Sequence, residues 1–145
     1  MLKVKKLHPD AIIPTCSRPG EDIAFDLYAL EDTELPNGRV VKVRTGVAVE
    51  MVGYGFLVCD RSSMAAKNLK TSGGVIDAGY RGEMFVNLTF FDDPTGPQRT
   101  THQVRRGDKI GQFVPQRVET AVSIVEVQEL SESDRGAKGY GSSGR

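Results

Sequence analysis

The chain has 145 residues, which is the length of one average domain. Nineteen Lys and Arg residues balance nineteen Asp and Glu residues, so the formal net charge is +0. This balance argues against a nucleic-acid partner, because polybasic binders gain affinity by neutralising many phosphates. With 39% hydrophobic and 26% charged residues, the composition is that of an ordinary folded domain. The longest apolar runs fall far short of the ~20 residues that cross a bilayer, so we expect no membrane partner.

The two cysteines, Cys16 and Cys59, are too few for a disulfide framework. Cys59 stands in an apolar run, and we expect it to be a small buried hydrophobe. The basic N-terminus is not followed by the apolar core of a signal peptide, because residues 8–10 (His-Pro-Asp) interrupt it. These observations favour a cytoplasmic location.

The residue types favour strands over helices. Val, Ile and Thr together number 31, against 18 for Leu plus Ala. In chain order, short apolar or alternating runs between Gly and Pro breaks predict strands within 2–7, 24–29, 40–49, 55–60, 74–76, 84–91, 98–104, 109–115 and 120–128. One short helix is predicted over 63–68, with Ser62 or Ser63 as its N-cap.

Many short strands with turn signals every ~8–12 residues predict an all-β sandwich, barrel or jelly roll. We expect residues 1–130 to form a single β domain. Residues 131–145 form a Gly-rich tail with almost nothing apolar except Tyr140. Such a segment cannot offset its own ordering entropy, so we expect it to be flexible in isolation.

Four internal stretches carry residues that suit chemistry but also have plain structural explanations. Asp26, in an apolar run, can be the solvent-facing residue of a strand. The serines after Arg61 can cap a helix. The glycines of 73–83 can form a hairpin, and 106–109 can form a tight turn. Taken singly, each stretch is explained without function.

Their order along the chain changes this reading. The stretches are IAFDLYA (23–29), RSS (61–63), GVIDAGYRGE (74–83), GDKIGQ (107–112) and RGAKGYGSSG (135–144). In this order they resemble the five motifs of the trimeric dUTPases, and the resemblance runs from about residue 20 to the C-terminus. It implies a jelly-roll-like β fold, a homotrimer in which each active site draws on all three chains, and hydrolysis of dUTP to dUMP and pyrophosphate with Mg²⁺ on the triphosphate.

The resemblance also implies roles for single residues. Asp77 matches the general base that deprotonates the water attacking the α-phosphorus, and a positioned carboxylate suits that task. Gln112 matches the amide near the phosphates and this water. Asp26 matches the acid that holds the metal through its bound water, which suits a hard cation that keeps its waters. Tyr80 matches the aromatic that packs on the deoxyribose and excludes a 2′-hydroxyl.

The remaining matches concern the phosphates and the base. Arg61, Ser62 and Ser63 match the α- and β-phosphate contacts, and the backbone from Gly74 to Ile76 matches the segment that reads the uracil edge. Thr71 lies where many relatives carry an asparagine that contacts the base. In the tail, Arg135 matches the γ-phosphate clamp and Tyr140 the aromatic that closes over uracil, with Gly141 and Ser142 beside them.

Two alternatives remain open at this point. A dCTP deaminase would resemble the same fold and share two of the stretches, but it needs a catalytic glutamate where this chain has Asn87, and an amide cannot shuttle protons. A non-catalytic nucleotide-binding regulatory protein could also use this fold. The presence of Asp77, Tyr80, Gln112 and the tail favours catalysis.

Overall fold

The computed structural model describes residues 1–93, 95–96, 99–119, 121–133 and 136. This part of the chain holds one helix, α1, and eleven strands. The strands are β1 (Lys3–Lys6), β2 (Phe25–Tyr28), β3 (Thr33–Pro36), β4 (Val40–Arg44), β5 (Val47–Glu50), β6 (Tyr54–Cys59), β7 (Leu69–Ser72), β8 (Val75–Ile76), β9 (Phe85–Phe90), β10 (Thr101–Val104) and β11 (Lys109–Arg117), with α1 (Ser62–Ala65) between β6 and β7. Among these described residues, no helix is long and apolar enough to cross a membrane.

The strands pair in four antiparallel groups. The largest is a four-stranded sheet in the order β2-β11-β6-β8, and a three-stranded sheet has the order β4-β9-β7. Two further pairs join β1 to β5 and β3 to β10. The four-stranded sheet brings together strands that are distant in the sequence, and it carries most of the candidate site.

Successive side chains of these strands point to opposite faces of the sheet, so one face is buried and the other carries the candidate site. Phe113 of β11 stacks on Phe25 of β2, with ring centroids 5.3 Å apart, and meets the edge of Phe56 of β6 at 5.4 Å. Phe56 and Phe113 are fully buried, as are Leu27 and Met84. These large side chains form a close-packed base beneath the polar residues of the opposite face.

The structure refines several predicted elements. The run 40–49 forms two strands, because the chain turns at Gly46 with a φ of 69°, and a side chain there would collide with Ala11 and Leu30. The helix is shorter than predicted and begins one residue earlier, at Ser62. The strands β3 and β7 were not predicted, since four residues with little alternation give a weak signal.

The predicted strand 120–128 is wrong for the described residues 121–128, which form no strand. Every residue from 121 to 130 is exposed. A strand needs a neighbour for its backbone hydrogen bonds, and none of the described strands pairs with this segment. The apolar pattern of the segment, with Val122, Ile124, Val125 and Val127 exposed, therefore has no partner within the described part of the chain.

Candidate active site

Three residues from three strands form a row across the four-stranded sheet. In the antiparallel register, Gln112 of β11 lies opposite Asp26 of β2 on one side and Cys59 of β6 on the other. The row faces away from the core that Phe113 enters, because neighbouring residues of a strand point to opposite faces. The fold therefore brings the first and fourth predicted stretches together. Cys59 is only partly buried, so the prediction that it is a buried core residue is wrong.

Asp26 is the electrostatic centre of this row. Its side chain is 11% exposed, and the carboxylate accepts Arg61 Nε at Oδ1 and Lys109 Nζ at Oδ2, each at 2.7 Å. The hydrogen bond to Asp26 raises the pKa of the Lys109 ammonium above its ordinary value, so the lysine stays charged. Two cations around one carboxylate give this patch a surplus of positive charge, which suits an anionic ligand.

Lys109 was not among the predicted site residues. It is three positions before Gln112, so simple alternation puts the two side chains on opposite faces of the strand. The register of β11 against β2 shifts between Lys109 and Gly111, which is the mark of a β-bulge. Because of this bulge Lys109 lies opposite Tyr28, on the same face as Asp26. Strand periodicity alone could not have found it.

Gln112 is held by the loop between β6 and α1. Its Nε2 donates to the backbone carbonyl of Asp60 at 2.8 Å. The Asp60 carboxylate accepts Lys70 Nζ at 2.8 Å and the backbone N–H of Thr71. Burial raises the pKa of Asp60, but the hydrogen bonds from Lys70 and Thr71 outweigh it and leave the pKa below its ordinary value. Thr71 therefore braces this loop through its backbone.

Two cavities lie beside the Asp26–Arg61 ion pair. The larger, about 410 Å³, is lined by Asp26, Arg61, Gln112 and residues of the segment before β2. The smaller, about 170 Å³, is lined by Arg61, Ser63 and Lys109 among others. Arg61 lines both cavities, and its Nη1 donates to Ser63 Oγ at 3.3 Å. Ser62 and Ser63 are exposed at the start of α1, so their hydroxyls are open to a ligand.

Asp77 and Tyr80 lie at the other end of the sheet. Ile76 pairs with Phe56, which puts Asp77 next to the row of Gly55 and Gln116. Gln116 lies four positions after Gln112 in β11, which separates the two rows by about 13 Å at ~3.3 Å per residue. Within one chain, Asp77 is therefore out of hydrogen-bonding reach of the Asp26 row.

The loop that carries Asp77 and Tyr80 is braced from both sides. Arg81 Nη1 donates to the carbonyls of Ala78 and Tyr80, each at 2.8 Å, and its Nε donates to Glu50 at 3.0 Å. The Tyr80 hydroxyl donates to the Glu83 carbonyl at 3.0 Å. A side chain at position 82 would collide with the Tyr80 ring, so the glycine there leaves room for it. Tyr80 remains 41% exposed.

The segment from Gly74 to Ile76 forms the edge of the sheet. Within the described chain β8 pairs only with β6, so one side of its backbone faces no strand. Gly74 packs directly against the backbone of Val58, whose N–H donates to the Gly74 carbonyl at 2.7 Å. An open backbone edge of this kind can hydrogen-bond an extended partner or the edge of a base.

The structure thus divides the predicted site residues into groups. Asp26, Arg61, Ser62, Ser63 and Gln112 meet at one end of the sheet, and Thr71 reaches them through Asp60. Gly74, Ile76, Asp77 and Tyr80 gather at the other end. Arg135, Tyr140, Gly141 and Ser142 lie outside the described residues. No three His, Cys, Asp or Glu side chains among the described residues group as a metal site.

Comparisons with known proteins identify the family of the chain. The family model for dUTPase matches residues 10–144. The deoxyuridine 5'-triphosphate nucleotidohydrolase of Thermobifida fusca (strain YX) is 44% identical over 147 residues, covering 99% of this chain and 78% of the relative.

Two solved structures show the likeness of fold. A mutant dUTPase of Staphylococcus bacteriophage 80alpha with dUpNHpp superposes with a TM-score of 0.89 at 27% identity, covering 100% of this chain and 99% of that one. A mutant dUTPase from phage phi11 of S. aureus, described with a structural Mg(II) ion, has a TM-score of 0.76 at 26% identity and covers 89% and 97% of the two chains.

The fold and the site define a jelly-roll enzyme that acts on a nucleotide. The chain belongs to the dUTPase family, as a dUTP diphosphatase that hydrolyses dUTP. The family assignment confirms the resemblance read from the five stretches, and the deaminase alternative falls with it.

Proposed function

We propose that this chain hydrolyses dUTP at a site assembled from several chains of a homotrimer, with Asp77 as the general base. The observation that carries the proposal is the separation of Asp77 from the Asp26 row by about 13 Å along the sheet. A general base must lie within hydrogen-bonding reach of the water it deprotonates. If Asp77 serves the phosphate site of Arg61 and Gln112, it does so in a neighbouring chain.

The exposed C-terminal segment supports association between copies. Val122 is 71% exposed and Ile124 is 97% exposed, and the surrounding apolar residues are similarly open. An exposed apolar segment with strand-like composition that pairs with none of the described strands marks an interaction surface. In a trimer, a neighbouring chain would supply the missing contacts.

The end of the four-stranded sheet that carries Arg61 and Lys109 is positively charged and suits the phosphates of the substrate. Arg61 presents a guanidinium, and the Ser62 and Ser63 hydroxyls can donate to the α- and β-phosphates. Gln112, whose amide donates to the Asp60 carbonyl, would orient the attacking water. These groups are held before substrate arrives, which is the arrangement that stabilises charge developing on phosphate oxygens.

Asp26 fits a Mg²⁺ ion that binds through its water molecules. The described residues supply no cluster of three ligands, so the protein alone offers no closed metal site. A single carboxylate beside the phosphate groups suits a hydrated magnesium ion held mainly by the substrate. When bound, the ion would neutralise charge on the triphosphate and polarise the α-phosphorus.

The nucleoside would be recognised by a neighbouring chain, at the end of its four-stranded sheet that carries Asp77 and Tyr80. The open backbone edge from Gly74 to Ile76 would read the uracil, and the Tyr80 ring would pack on the deoxyribose and exclude a ribose hydroxyl. We expect Thr71 to act on this pocket indirectly, since its backbone is engaged with Asp60.

Residues 131–145 complete the proposed site as a lid. Arg135 would clamp the γ-phosphate, and Tyr140, Gly141 and Ser142 would close over the base. Deleting this segment should spare the folded domain and the trimer but lower turnover. Unchanged turnover after the deletion would contradict the lid.

A pyrophosphate-release assay tests the proposal. The protein should act on dUTP with Mg²⁺ and discriminate against dCTP, dTTP and UTP, and Asp77→Asn should abolish most turnover while retaining affinity for dUpNHpp. Asp10→Asn, at an exposed aspartate, is the control. If Asp77→Asn lost affinity for dUpNHpp as strongly as it lost turnover, Asp77 would be a structural residue. If the wild-type protein released no pyrophosphate from dUTP, it would be a nucleotide-binding protein without this activity.

A further inference from the structure

Both carboxylate oxygens of Asp26 are held by cations of the same chain. Arg61 Nε lies 2.7 Å from Oδ1, and Lys109 Nζ lies 2.7 Å from Oδ2. The Asp26 side chain is 11% exposed, so little of its surface is open to a further ligand. A hydrated divalent cation approaching it would also meet the positive charges of both side chains, and like charges at this range repel strongly.

A triphosphate changes this balance. It offers several negatively charged oxygens, which compete with Asp26 for the guanidinium and the ammonium. Arg61 and Lys109 both line the 170 Å³ cavity, whereas Asp26 lines only the 410 Å³ cavity. The two cations therefore have a place to contact phosphate that is separate from the side of Asp26 facing the larger cavity.

The β-bulge makes this exchange possible for Lys109. Without the bulge, the side chain would lie on the face opposite Asp26. Its side chain is 36% exposed, so it has room to move between the carboxylate and a ligand. A lysine suits this role because its ammonium is a point charge on a flexible stem, without the fixed fork geometry of arginine.

We propose that Lys109 is a further substrate-binding residue, which neutralises Asp26 in the free enzyme and moves to the phosphates when the nucleotide binds. Asp26 then gains a free oxygen for the water shell of the metal. The free enzyme thus binds divalent metal weakly, and nucleotide and metal strengthen each other's binding. This inference rests on the proposed role of Asp26 toward the metal.

The test is a Mn²⁺ titration followed by electron paramagnetic resonance on the full chain, with and without dUpNHpp. Mn²⁺ binding to dUpNHpp alone is measured as the baseline. For the wild type we expect weak Mn²⁺ binding without nucleotide and a tightening of about 100-fold with it, within the usual range of coupling between two ligands. Equal Mn²⁺ affinity in the two states would overturn the proposal.

Variants locate the effect at Lys109. Lys109→Met and Lys109→Gln should reduce the coupling between Mn²⁺ and nucleotide by about tenfold, mainly by tightening Mn²⁺ binding to the free enzyme. Lys109→Arg should retain most of the coupling. Lys5→Met, at an exposed lysine of β1, is the control and should match the wild type. If Lys109→Met and Lys109→Gln both fold and keep the wild-type coupling between Mn²⁺ and nucleotide, the proposal is overturned.

Asp26→Asn tests the metal role of Asp26 separately from the exchange by Lys109. If it weakens Mn²⁺ binding in the nucleotide complex while the Lys109 variants leave the coupling unchanged, the role of Asp26 stands and the exchange by Lys109 fails. If Asp26→Asn leaves Mn²⁺ binding in the complex unchanged, the proposed metal role of Asp26 fails as well.

Discussion

The side-chain amide of Gln112 donates a hydrogen bond to the backbone carbonyl of Asp60, with 2.8 Å between nitrogen and oxygen. This bond ties β11 to the loop that precedes Arg61. Asp60 is itself fixed, because its carboxylate holds Lys70 Nζ and the N–H of Thr71. One aspartate thus sets the position of an amide and of a guanidinium that face the same cavity.

Loss of the Asp60 carboxylate should therefore disturb catalysis. We expect Asp60→Ala to lower kcat by about tenfold with a smaller change in KM, because misplacement of positioned groups weakens the transition state most. Asp60→Asn keeps an acceptor for the Thr71 N–H, so its kcat should lie between that of the wild type and that of Asp60→Ala. Steady-state kinetics measure this, with Asp93→Ala as control, since Asp93 accepts similar bonds from Thr95 in the loop after β9. Wild-type kinetics in Asp60→Ala would show that the contact is dispensable.

The Tyr80 ring should set discrimination at the sugar. Tyr80→Ala should narrow the ratio of kcat/KM for dUTP over UTP by roughly tenfold or more, because the ring no longer excludes the extra hydroxyl. Tyr80→Phe retains the ring and loses only the 3.0 Å bond to the Glu83 carbonyl, so it should keep the discrimination. An unaltered ratio in Tyr80→Ala would count against this role.

Gly74 should be intolerant of any side chain. A Cβ there would collide with the backbone of Val58, which cannot move without breaking the β6 edge. We expect Gly74→Ala to destabilise the fold by about 2–3 kcal/mol, which lowers Tm by roughly 5–10 °C in a chain of this size. Gly79→Ala is the matched control, because nothing lies within 4 Å of its Cβ. Equal melting temperatures would refute the packing argument.

Stability should depend on His102 in mildly acidic solution. Burial, followed by the charges of Arg99 and Lys67, lowers the pKa of His102 below its ordinary value of 6.5. Between the folded pKa and 6.5 the unfolded chain binds the proton and the folded chain does not, so stability is lost as pH falls below 6.5. His102→Gln should flatten this loss of stability, which urea denaturation at a series of pH values measures. If the pH dependence of stability were unchanged in His102→Gln, His102 would not contribute to it.

The all-β class and the five stretches could be predicted because alternation, glycine breaks and motif order are local properties of the chain. Lys109 could not, since a β-bulge reverses the face that its position predicts. The pattern at 121–128 indicated a strand, but a strand also depends on a neighbour that no local pattern reveals. The separation of Asp77 from Gln112 is equally invisible in sequence, because it follows from the pairing of β8 and β11 with β6.

Mixed trimers test the central claim that the site is shared between chains. Asp77→Asn and Arg61→Gln chains, each nearly inactive alone, are coexpressed with different affinity tags and purified through both. Each mixed trimer then holds one site with intact Arg61 from one chain and intact Asp77 from its neighbour, so pyrophosphate release from dUTP should reach about one third of the wild-type rate. A rate no higher than that of either parent variant would contradict the account.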